Sequence, residues 1–354
     1  MGPVADRFDR YNKALPGARA AQDLNALGDK ADAPVQQPCL KRLPLNAANL
    51  NKALGIDPKS PKAITDKDLR NDTTGYRSAL YQSESDGKII LVSRDTQPHS
   101  LVDWKTNIDN GVGMDSDQYK SVRTLASKLN ANRVDFDVAG YSKGGGLAQE
   151  AGLVSPGANV YVFNSAGLNN ASLARTGAAN FNSLATRTSA FSAQGDFLTF
   201  MNNTTNQAGQ LANAQFLRDQ LAGPSGWTNL SAWKKPMQIQ YESPGNTNAS
   251  DPGYLADRQD FLTSVDQMIA NKAAHPGGDP LFPPVRAKTF DTIPNSMSTI
   301  GSLTGANDAG PSLGKLAQHQ ISNIVGPDAT HPGPMEKQIA ADKAAMQDFQ
   351  KTCG

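Results

Sequence analysis

RVDFDVAGYSKGGGLAQEAGL, residues 133–153, holds in one unbroken run the features that decide the fold of this chain. Val134, Phe136 and Val138 alternate with polar residues, which is strand spacing, and Gly144 to Leu153 follows with the composition of a helix. Between them Gly140-Tyr141-Ser142-Lys143-Gly144 fits G-x-S-x-G, the turn that carries a serine from the end of a strand into the start of a helix. A serine held there projects its hydroxyl toward solvent, and the helix behind it points its N-terminus at the reacting carbonyl. By composition the pentapeptide would arise about 0.2 times in a chain of this size, so the flanking strand and helix carry the argument. Gly145 and Gly146 leave room for that helix to lie close on a sheet. Ser142 is therefore the candidate nucleophile, and the N–H of Lys143 the first candidate donor to an oxyanion.

Upstream, GYRSALYQ and GKIILVSRDT flank the turn Asp86-Gly87 in the pattern of a hairpin, and DSDQYKSVRTLASKLN places Tyr119, Val122, Ala126 and Leu129 at helical spacing behind a cap at Asp115 or Ser116. Downstream, ANVYVFNSAG and SAFSAQGDFLTF read as further strands. Alternating strands and helices imply a mostly parallel central sheet, the α/β class with an α/β-hydrolase arrangement. Residues 1–70 read as an N-terminal extension of short helices broken by Pro16, Pro34, Pro38, Pro44 and Pro58, and residues 71–354 as the hydrolase domain. Within that domain, about residues 200–300 form an amide-rich, cap-like insertion. In it PMQIQYESP reads as a strand, and Phe261, Val265, Met268 and Ile269 share one helical face.

With 34 basic and 33 acidic residues among 354, the chain has no global field that favours nucleic acid, and no nucleic-acid partner is expected. No run approaches the ~18 apolar residues of a transmembrane helix, so lipid contact is expected to be peripheral. The first twenty residues mix charges and lack the apolar core of a secretory signal. Two cysteines near opposite ends, Cys39 and Cys353, exclude a clustered cysteine metal site; they are read as reduced thiols, with a disulfide between the termini as the alternative. No His/Asp/Glu cluster has ligand spacing, so neither metal nor cofactor is expected.

The acid of such a site should follow the serine and stand at the end of a later strand. Asp196, in Gly195-Asp196-Phe197, meets both conditions; Asp251 and Asp279 do so with less context. Of the four histidines His99 precedes the serine, which is the wrong order for this fold, leaving His275, His319 and His331 as candidate bases.

GYSKGGGLAQ together with GYRSALY…GKIILVSRDT…DW and VYVFNSAGLN…GDFLT resembles the class 3 lipases and their bacterial relatives over about residues 75–200. The resemblance implies that Thr96 supplies the second oxyanion donor, that Asp196 is the acid of the family's Gly-Asp step, and that Trp104 packs. It also implies that the base is the histidine before a closing helix, His319. Two positions depart from the pattern: Tyr141 stands where relatives carry histidine, and Asp95 where they carry the glycine of an Arg-Gly-Thr loop.

Apolar residues of the insertion, Trp227 and Phe282 among them, are expected with Tyr141 at the substrate, lining an acyl channel; the plainer alternative is that they form a small core of their own. The resemblance implies a membrane phospholipid or other glycerolipid as substrate and phospholipase A chemistry. It extends to phospholipase toxins delivered into competing cells, hence to a chain cytoplasmic in its producer, exported by a specialised system and met by an inhibitory immunity protein. A soluble carboxylesterase or thioesterase, and a non-catalytic binding module that kept the fold, are the competing readings.

Overall fold

The computed structural model of the chain describes residues 2–27, 33–95, 115–168, 170–204, 206–222, 252–275, 281, 283–294, 319, 321–328 and 330–353. Eight strands among the described residues form the sheet: β1 (Leu40–Arg42), β2 (Arg70–Asn71), β3 (Tyr76–Ser83), β4 (Ile89–Ser93), β5 (Phe136–Tyr141), β6 (Val160–Phe163), β7 (Thr188–Ala193) and β8 (Thr289–Ile293). Their order is β1-β3-β4-β5-β6-β7-β8, with β2 paired to β3 off this path. β4 to β8 run parallel, and β3 is antiparallel to β4 through the hairpin expected at Asp86-Gly87, where Gly87 takes a φ of 73°. The fold is α/β with a mostly parallel central sheet and helices on both faces.

The helices are α1 (Gly2–Leu27), α2 (Ala47–Leu54), α3 (Asp66–Leu69), α4 (Asp117–Ala131), α5 (Lys143–Leu153), α6 (Asn170–Thr176) and α7 (Ala178–Arg187). They continue with α8 (Phe197–Asn203), α9 (Gln207–Ala222), α10 (Pro252–Ala274) and α11 (Pro334–Cys353). One core lies between the sheet and α2, α4 and α5, where Tyr119, Val122, Ala126 and Leu129 are buried at the expected spacing behind the Ser116 cap. An ion-paired knot joins α4 to α5: Arg123 bonds Asp115 at 2.7 Å and the buried Glu150 at 2.5 Å. Burial raises the Glu150 carboxyl above its usual range, and the Arg123 hydrogen bond opposes that shift.

The second core lies on the other face, and α1 builds much of it with Tyr11, Ala14, Ala18, Ala21 and Leu24. Here the structure corrects the expectation of short helices broken by proline, because α1 runs 26 residues straight through Pro16. An interior proline costs about 3 kcal/mol, and packing along the whole sheet offsets it. The helical period is faint in the sequence because alanine and glycine make most of the buried stripe. Those small residues serve close approach, since a Cβ at Gly17 would stand 2.7 Å from that of Ala139 on β5. Arg7 with Asp342, Arg10 with Asp291 and Arg19 with Glu336 then tie α1 to the C-terminal part of the chain.

Between α8 and β8, α9 and α10 pack against each other, with Leu262, Val265 and Met268 buried on α10 and Arg218 paired to Asp266. β8 belongs to the central sheet although it falls within the range read as insertion. Its sequence, Thr289–Ile293, is short and leaves Phe290 exposed, as an edge strand allows, so no apolar run marks it. PMQIQYESP lies outside the described residues.

Candidate active site

β5 ends in the middle of the sheet, and the chain reverses into α5 at Ser142 with φ 55° and ψ −123°, a conformation that costs a non-glycine residue about 1–3 kcal/mol. Neighbours hold it there: Ser142 N–H donates to Phe163 O at 3.0 Å, and Ser142 O accepts from Gly145 and Ala166. The two glycines of the motif are steric requirements. A Cβ at Gly140 would lie 2.0 Å from Gly144 O, and one at Gly144 would lie 2.4 Å from Ser93 O. Both clashes are with backbone, which cannot swing aside. Gly140→Ala is therefore expected to destabilise the protein by about 3 kcal/mol, read as a lower denaturant midpoint.

Ser142 Oγ lies 2.7 Å from His319 Nε2, and His319 Nδ1 lies 2.6 Å from Asp196 Oδ1. The motif alone places Ser142 toward solvent; in the structure it is buried, with His319 beside it. Asp196 follows β7 by way of Gly195, whose φ of 78° turns the chain. The strand ends at Ala193, so FLTF, read as strand, is the start of α8 with Asp196 as its N-cap. An aspartate followed three residues on by a bonded N–H is the cap signal that would have placed this boundary. Asp196 Oδ2 accepts from Thr199 N–H at 2.6 Å, leaving Oδ1 for the imidazole. The Asp196 side chain is fully buried and that of His319 is 23% exposed, so the line runs from interior to surface.

Tyr141, expected at the substrate, lies against His319 instead: the rings stack with centroids 5.3 Å apart, and the phenol donates to His319 O. The tyrosine at the family's histidine position thus holds the base. His275 is exposed and bonds back to Asn271 O on its own helix, and His331 is exposed beside Asp328, so neither stands at Ser142. Lys143 N–H, the expected oxyanion donor, is 3.3 Å from Asp95 Oδ1. Asp95 N–H in turn donates to Asn25 Oδ1 from the end of α1. No local signal marks Asn25, which acts across 70 residues of chain. Thr96, His99, Trp104, Trp227, Asp251, Asp279 and Phe282 lie outside the described residues. Leu281 is buried and its N–H donates to Gln210 Oε1, while Phe216 packs against Phe197, contacts that serve packing between α8, α9 and the following chain. Among the described residues no helix is long and apolar enough to cross a membrane, and no group of three or more His, Cys, Asp or Glu could hold a metal ion.

A serine on a strained strand-to-helix turn at the carboxyl edge of a parallel sheet, hydrogen-bonded to a histidine and through it to a buried aspartate, defines the class of α/β proteins built for hydrolysis. Residues 52–226 match the family model described as Phospholipase-like: Tle-like phospholipase domain. This stretch is thus similar to the Tle-like phospholipases, and the activity that goes with it is that of a lipase or phospholipase. The match spans Ser142 and Asp196 and ends before His319. No curated protein matches the sequence.

Proposed function

We propose that the chain is a serine phospholipase of the A type, which cleaves an acyl ester of a glycerophospholipid through an acyl-enzyme on Ser142. The observation that carries this reading is the hydrogen-bonded line Ser142 Oγ–His319 Nε2 and His319 Nδ1–Asp196 Oδ1, at 2.7 and 2.6 Å, in a chain with a phospholipase-like domain. His319 Nε2 takes the serine proton as Oγ bonds to the ester carbonyl carbon, and Asp196 stabilises the imidazolium so formed. The carbonyl oxygen becomes an oxyanion received by Lys143 N–H and a donor from Thr96. Collapse breaks the bond to the glycerol oxygen, which leaves with the proton from His319. Water, deprotonated by the same nitrogen, then releases the fatty acid and restores Ser142. An effector role, delivery by a specialised secretion system and an inhibitory immunity protein belong to the same proposal and rest on the likeness to toxins of this kind.

Lipid specificity is the part of this reading that separates it from a general esterase. Each buried methylene contributes about 0.8 kcal/mol, so kcat/KM should climb by orders of magnitude from acetate to long-chain esters until the acyl site is full. Vesicles of a defined diacyl phospholipid should yield free fatty acid and lysophospholipid, identified by mass spectrometry. A flat or falling profile from butyrate to palmitate, with no lysophospholipid formed, would leave a small-ester hydrolase in its place.

A further inference from the structure

The donor position of this site is already occupied by the chain's own carboxylate. Asp95 Oδ1 accepts from Lys143 N–H at 3.3 Å, the same N–H that must receive the developing oxyanion. Ser142, although it stands at the N-cap of α5, makes no side-chain cap bond, so the acceptor at this helix start comes from Asp95 instead. A carboxylate is favoured there by the helix dipole, which gives the contact a driving force of its own. The backbone around it is pinned from two sides. Asn25 Oδ1, on the last turn of α1, holds Asp95 N–H at 3.0 Å, and Ser93 O just upstream is pressed so close to Gly144 that no Cβ fits between them.

We propose that Asp95 holds the site in a self-blocked resting form, its carboxylate taking the Lys143 N–H that the acyl oxyanion requires, and that turnover begins only when this side chain swings away. The inference rests on the reading of Ser142 as nucleophile. Two negatively charged oxygens cannot share one N–H, and the tetrahedral oxyanion would meet a like charge as well as a lost donor. Asp95 therefore acts against acylation as long as it stays, and the step it slows is the attack on the carbonyl rather than the binding of the acyl chain.

Asp95→Ala removes the competing carboxylate, and Asp95→Asn keeps its volume but not its charge. Wild type and both variants are compared in the rate at which a fluorophosphonate modifies Ser142, located by peptide mass spectrometry, and in kcat and KM for a butyrate ester. Both variants are expected to react on the order of tenfold or more faster, because a single oxyanion donor is worth about 10²–10³ in kcat, and KM should change little. Loss of the helix acceptor should lower the melting temperature by a few degrees, a change that a purely structural Asp95 would also show, so the rate decides. Equal or slower modification in both variants, with wild type labelled at Ser142, overturns the Asp95 proposal alone. If Asp95→Ala does not fold, the isosteric Asp95→Asn decides the matter by the same rates. Absence of any adduct on Ser142 in all three proteins overturns the nucleophile reading, and this inference with it.

Discussion

Ser142→Ala is expected to lower ester hydrolysis by about four to six powers of ten while the protein remains folded. The change removes one oxygen, which stands 2.7 Å from His319 Nε2. The backbone that fixes the turn is untouched: Ser142 N–H still donates to Phe163 O, and Ser142 O still accepts from Gly145 and Ala166. Alanine meets the same strain at φ 55° as serine does, so the cost of the conformation cancels between the two proteins. A melting temperature within a few degrees of wild type, circular dichroism unchanged and turnover of a butyrate ester at background form the expected result. Hydrolysis by the purified variant at more than about a hundredth of the wild-type rate would remove Ser142 from the chemistry.

The strand, turn and helix around Ser142 are legible in the sequence because each depends on neighbours along the chain. Alternation at Val134, Phe136 and Val138, the two motif glycines and the Asp86-Gly87 hairpin all express local geometry, and the structure has each of them where the residues place it. α1 is legible only in part, since its buried face of alanines and glycine has little hydropathy contrast and its proline is tolerated through packing that is not local. β8 escapes a sequence reading for a related reason: an edge strand needs only one buried face, and five residues ending in the buried Ile293 carry too weak a period to stand out. At the site itself, chain order and strand ends lead to Asp196, and resemblance to a known family leads to His319. The tertiary partners cannot be read. Asn25 meets Asp95, Tyr141 meets His319, and Thr199 N–H meets Asp196, and of these only the last lies within a single turn of chain.

Asp196→Asn is expected to cost about 10⁴ in kcat, close to the loss from His319→Ala, with a melting temperature near that of wild type. The reason lies in what each carboxylate oxygen accepts. Oδ2 takes Thr199 N–H at 2.6 Å at the start of α8, and Oδ1 takes the Nδ1 proton of His319 at 2.6 Å. An asparagine can keep only one of these acceptors. Placing its amide oxygen at the helix cap preserves α8 and turns the NH2 toward His319, which forces Nδ1 to accept and moves the ring proton to Nε2. A protonated Nε2 cannot take the proton of Ser142, so the base is disabled with its position unchanged. Placing the amide oxygen toward His319 instead restores the tautomer but opposes an NH2 to Thr199 N–H in a fully buried position, which the cap cannot accommodate. The two losses belong to one unit, so Ser142→Ala combined with Asp196→Asn should be no slower than Ser142→Ala alone. Kinetics of the four proteins on a butyrate ester check this directly. A within-tenfold effect of Asp196→Asn would mean that Asp196 serves only as the cap of α8, and additive losses in the double variant would mean that Ser142 and Asp196 act in separate steps.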